Sequence, residues 1–79
     1  ASDVFVSPNP SEGLATIYLA GKAAGFDSFA VADIAGRQRM SGLITGQKKE
    51  IDLSGFEKGV YFITLTDGKS RISKKLVKL

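Results

Sequence analysis

Val60-Tyr61-Phe62-Ile63-Thr64-Leu65-Thr66-Asp67-Gly68 is the stretch that decides the fold. Its first seven residues are β-branched, aromatic or leucine, and a period of two places Tyr61, Ile63 and Leu65 on one face with Val60 and Phe62 on the other. Apolar residues on both faces predict a strand at the centre of its sheet, covered from both sides. The Asp67-Gly68 pair is a hairpin signal, because glycine reaches positive φ without steric cost. The last strand, Arg71 to Leu79, is therefore expected to fold back antiparallel on this one.

Working outward, the same punctuated pattern recurs. Val4-Phe5-Val6 forms a first short strand, and Ser7-Pro8-Asn9-Pro10 must end it, since two prolines fix φ and remove two ladder donors. Leu14 to Leu19 puts Ala15, Ile17 and Leu19 on one face. Phe29 and Val31 repeat the alternation until Asp33-Ile34-Ala35-Gly36-Arg37 turns the chain. Gln38 to Thr45 is a weaker strand, and Lys49 to Leu53 a short one with Ile51 and Leu53 inward and charges suited to an edge. The nearest helical candidate, Ser54 to Lys58, is too short for more than one turn. About seven short strands predict an all-β, immunoglobulin-like antiparallel β-sandwich with a Greek-key connection, in a single domain over residues 1–79.

Composition narrows the chemistry. A chain of 79 residues buries roughly 60% of its unfolded surface, so its stability margin is small. With no Cys there is neither a disulfide nor a thiolate metal site, and with no His the usual general base and the commonest nitrogen ligand are missing. No cofactor and no metal are expected. No run approaches the roughly 20 apolar residues that span a bilayer, and the start lacks a signal-peptide pattern. The opening Ala1-Ser2-Asp3, without Met, reads as a piece of a longer polypeptide, with residues 1–3 a linker remnant.

Polar groups at turns have structural explanations. None of the eight carboxylates falls in a calcium-loop spacing, and Asp33 and Asp67 sit where turns begin, a place for Asp to bond the backbone two residues on. Glu50 and Asp52 share a face, as solvated acids of an edge strand do far more often than a glycosidase pair. Leu53 to Tyr61 reads as a corner between sheets, in which Tyr61 bonds back to the preceding connection and Gly59 permits the bend. The chain reads as non-catalytic. Net charge is +3, and Lys58, Lys69, Arg71, Lys74, Lys75 and Lys78 gather late in the chain. Such a stretch suits an acidic partner, an anionic headgroup or a Lys-guarded edge; nucleic acid is disfavoured because no aromatic residue follows Arg71.

Four separated signatures stand in order: Val6-Ser7-Pro8-Asn9-Pro10, Asp33-Ile34-Ala35-Gly36-Arg37, Leu53 to Tyr61, and Lys74-Lys75-Leu76-Val77-Lys78-Leu79. Each is an ordinary turn or strand piece. Together, over essentially the whole chain, they resemble the type A C-terminal sorting domain of the bacterial type IX (Por) secretion system. The resemblance implies a domain that follows an N-terminal cargo into the periplasm and is recognised by the outer-membrane translocation machinery. It further implies removal by a sortase in the preceding linker and attachment of the cargo to the cell surface, or its release. Pro8, Asn9, Pro10, Asp33, Gly36, Arg37, Gly59 and Tyr61 match fold-defining positions, and Lys74, Lys75, Leu76, Val77, Lys78 and Leu79 match the segment on which export depends. Ala32 stands where the family usually has a bulky residue, and Ala23-Ala24-Gly25 matches nothing particular.

On that resemblance the last strand would offer unpaired backbone and lysines to a receptor by β-augmentation. An accessory adhesion or glycan-binding module is the main competing reading; it asks for an exposed aromatic platform, for which Tyr18 and Phe62 are the outward candidates. Self-association through an exposed edge strand is a third.

Overall fold

The structure, a computed structural model, describes residues 3–79. Of the expected linker remnant, Ala1 and Ser2 lie outside the described residues, whereas Asp3 accepts the Ala20 N–H at 2.9 Å through its main-chain oxygen. Seven strands follow: β1 Val4–Ser7, β2 Leu14–Leu19, β3 Ser28–Asp33, β4 Gln38–Leu43, β5 Lys48–Asp52, β6 Gly59–Thr66 and β7 Arg71–Lys78, with one 3-10 turn at Gly21–Gly25. They form two antiparallel sheets, ordered β1-β2-β5 and β4-β3-β6-β7. The chain changes sheet after β2, β4 and β5, the layering of an immunoglobulin-like sandwich.

Alternation along each strand fills the space between the sheets. Ala15, Ile17 and Leu19 of β2 and Ile51 of β5 meet Val31 of β3, Ile63 and Leu65 of β6 and Leu76 of β7, all buried. Withdrawing a side chain the size of Ile63 or Leu65 from water stabilises the fold by about 1.5–3 kcal/mol. The 3-10 turn brings buried Ala23 and Phe26 into the same core where β2 hands over to β3. That loop, unreadable as a motif, acts as a plug.

One expectation is corrected by this layering. β6 is central, between β3 and β7, but only its Tyr61, Ile63 and Leu65 face is fully covered; Phe62 stays 38% exposed and Val60 half-buried. A two-layer sandwich gives each sheet one inner face, so the outward face of even a central strand meets water. The β6–β7 hairpin forms as expected, antiparallel and joined through Asp67-Gly68: Thr66 and Arg71 close the ladder, leaving Asp67 to Ser70 as the loop. The Asp67 carboxylate sets that length by accepting the Lys69 and Ser70 N–H groups at 2.8 and 2.7 Å.

Candidate functional site

Register places the sequence signatures together. Asp33 is the cross-strand partner of Tyr61, and Tyr61 that of Leu76, so the ends of β3, β6 and β7 lie side by side at one end of the four-stranded sheet. At this end Asp33 organises the β3–β4 turn. Its Oδ1 accepts the Ala35 and Arg37 N–H groups at 3.0 and 2.9 Å, its main chain exchanges bonds with Gly36 and Arg37, and Gly36 takes φ +89° to close the loop. Oδ2 accepts the Arg37 Nε–H at 3.1 Å and faces Arg39 Nη1 at 3.5 Å. Partial burial raises the Asp33 pKa, but the Arg37 amide and guanidinium and the Ala35 amide outweigh it and hold the carboxyl below its ordinary value.

The β5–β6 corner meets this turn. Asp52 Oδ1 accepts the Ser54 N–H at 2.9 Å, the Phe56 N–H donates to Leu53 O at 2.9 Å, and Gly59 bends into β6 at φ +147°. The Tyr61 hydroxyl donates to Glu57 O at 2.6 Å, anchoring the corner to the strand it feeds. Phe56 tilts against the Tyr61 ring with centroids 5.4 Å apart, and the Arg39 guanidinium lies 5.6 Å from the Phe56 centroid. Arg39 thus spans both motifs, joining the Asp33 turn to the Tyr61 corner.

The first and last signatures meet beside them. Pro8 and Pro10 end pairing between β1 and β2 and swing the chain across to the outer edge of β7. There Asn9 donates from Nδ2 to Lys75 O at 2.9 Å and accepts the Val77 N–H on Oδ1 at 3.0 Å. Ser11 continues in parallel: its N–H donates to Val77 O and its own oxygen accepts the Leu79 N–H, both at 2.8 Å. Ser11 is wholly buried, and its hydroxyl accepts the Gly13 N–H and donates to Leu14 O.

This latch takes the C-terminal half of β7 out of the expected offer of backbone by the last strand. On the outer edge of β7 the Lys75 oxygen, the Val77 N–H and oxygen and the Leu79 N–H are already bonded by Asn9 and Ser11, because two prolines without N–H groups leave the residues between and after them to do the pairing. The terminal segment reaches the surface through side chains. Lys75 and Leu79 are exposed, Lys74 and Val77 half-buried, Leu76 sits in the core, and Lys78 is buried with Nζ donating to Leu79 O at 2.8 Å.

Sequence reasoning missed Ser11, Arg39, Phe56 and Phe5. Ser11 had a signal, a Ser two residues before Gly13, which is an ST-turn arrangement. Arg39 and Phe56 had none, because their partners lie on other elements. Phe5, not among the outward aromatic candidates, faces outward, 54% exposed, opposite Tyr18.

The fold is an all-β sandwich whose separated turn, corner and terminal signatures close on one end of one sheet. The model described as "Secretion system C-terminal sorting domain" matches residues 5–79. The chain belongs to this family, the C-terminal sorting signals of type IX secretion. No curated protein matches the chain. No helix among the described residues is long and apolar enough to cross a membrane.

Proposed function

We propose that this chain is the non-catalytic address of an exported cargo carried N-terminal to it in the same polypeptide, read in the periplasm by the type IX outer-membrane translocation machinery. A sortase then cuts in the linker before β1 and the cargo is attached to the cell surface or released. Recognition uses the outward side chains of Lys74 to Leu79, held in place by the fold-defining Pro8, Asn9, Pro10, Asp33, Gly36, Arg37, Gly59 and Tyr61. One observation carries this reading: residues far apart in sequence come together at one end of the molecule whose last element is the terminal segment.

Truncation is a poor test, because removing Lys74 to Leu79 takes Leu76 out of the core, and losing a buried Leu side chain alone costs about 2–5 kcal/mol. The informative experiment fuses residues 1–79 to a reporter with a Sec signal and measures surface display in a type IX competent strain and in its translocon-deficient counterpart. Display in the competent strain alone is expected. Folded reporter retained in the periplasm of both would sink the reading.

A second reading has its own observation. Phe5 and Tyr18 pair across β1 and β2 on the outer face of the three-stranded sheet, 54% and 42% exposed, and form a small aromatic platform of the kind that stacks on sugar rings. Glycan-array binding lost in Tyr18→Ala, together with periplasmic retention, would favour an accessory binding module.

A further inference from the structure

Because the latch closes the β7 edge at its C-terminal half, a partner that reads Lys74 to Leu79 in the folded domain must read side chains on a face. Cross-strand partners share a face, and register assigns them. Ala32, Phe62 and Lys75 form one outward row across β3, β6 and β7; Ala30, Thr64 and Ser73 form the next; Ser28, Thr66 and Arg71 the third. Val60 and Val77 extend this surface to the latched end.

Its chemistry differs from that of the opposite face. The three rows hold two cations, Arg71 and Lys75, and no carboxylate; neither cation is ion-paired among the described residues. The outer face of the three-stranded sheet carries two carboxylates, Glu50 opposite Thr16 and Asp52 opposite Leu14, beside Lys48 opposite Tyr18. At the centre of the carboxylate-free face Phe62 is 38% exposed, and its β3 neighbour is only Ala32, so one flank of the ring stands clear. An exposed aromatic residue on a floor of Ala, Thr and Val, with cations at the β7 side, is the composition of an interface anchor with a charged rim.

We infer that the outer face of β3, β6 and β7, with Phe62 as anchor and Arg71 and Lys75 as rim, is the docking surface of this domain. Its occupant is a protein surface that offers an apolar recess for the Phe62 ring and carboxylates beside it. This inference rests on the sorting reading and specifies its surface. The occupant is chosen on charge: a cationic rim without local counter-charge selects an acidic partner and speeds encounter with it.

The test uses the reporter fusion with residues 1–79 in the competent strain, comparing wild type with Phe62→Glu, Arg71→Glu with Lys75→Glu, and Leu14→Lys on the opposite face, where Leu14 is 56% exposed. Thermal unfolding of each purified domain accompanies display. The expected result is at least a tenfold loss of display for Phe62→Glu and for the double reversal, with Leu14→Lys within twofold of wild type. If Phe62→Glu does not fold, Phe62→Thr, which keeps β propensity and removes the ring, takes its place under the same criterion. Display of folded Phe62 and charge-reversal variants at the wild-type level overturns the docking face and leaves the sorting reading standing. An equal loss in folded Leu14→Lys overturns it too, since the effect would not belong to one face. Wild type that is not displayed removes both.

Discussion

Tyr61 combines two jobs in one side chain. Its ring is buried beside Phe56, while its hydroxyl reaches past the core to the Glu57 carbonyl at 2.6 Å, satisfying a corner oxygen that the bend after Glu57 removes from any ladder. Phenylalanine would keep the apolar area and lose only the bond. Tyr61→Phe is therefore expected to lower stability by about 1–1.5 kcal/mol, the net worth of a hydrogen bond whose acceptor is left short. Urea unfolding should give a lower midpoint with an unchanged slope, because the surface exposed on unfolding is the same. An unchanged midpoint would mean that water replaces the phenol at no cost. This residue was readable in advance, since a Tyr two positions after Gly59 at the start of a β run is a local pattern.

At the scale of the element, β7 is an edge strand for half its length and an interior one for the rest. Arg71 and Ser73 face outward beyond the latch, while from Lys75 onward Asn9 and Ser11 pair its outer side. Asn9→Ala removes both side-chain bonds, for about 1–2 kcal/mol, and its effect should be local. Hydrogen exchange at the Val77 amide, the donor to Asn9 Oδ1, should quicken about tenfold or more than at the core amides of Ile63 and Leu65. Uniform acceleration at all three would show that Asn9 holds the whole fold and not one edge. The latch also marks where sequence reading stopped. Strands, turns and their inward faces were legible because alternation, Asp33, Gly36 and Asp67 act within a few residues; the Asn9 bonds join positions 66 and 68 residues apart, and nothing in Pro8-Asn9-Pro10 states which strand it will meet. The closing of the C-terminal half of β7 and the exposure of Phe62 escaped the sequence for the same reason: both depend on what packs alongside.

For the whole molecule, three carboxylates set the response to acid. Asp33 is held below its ordinary pKa by Arg37 and Ala35 against the opposing effect of burial, Asp67 by the Ser70 and Lys69 amides, and Asp52 by the Ser54 hydroxyl and amide. Each caps a different connection, β3–β4, β6–β7 and β5–β6. A group whose folded pKa lies below its unfolded value, about 3.9 for Asp, leaves the native state binding fewer protons than the unfolded one. Its contribution is complete above the unfolded pKa and is lost as pH falls through the folded one. With no His or Cys, no such side chain titrates between about pH 5 and 8, so stability should be level there and decline below about pH 4. Side-chain charge meanwhile climbs from +3 toward +11 as the eight carboxylates protonate, and self-repulsion adds to the decline. A variant with Asp33→Asn, Asp52→Asn and Asp67→Asn should be less stable than wild type at pH 7 and show a shallower loss between pH 5 and 2.5, measured by urea unfolding at each pH. Parallel curves for the two proteins would remove the capping carboxylates as the cause and leave net charge as the agent of acid unfolding.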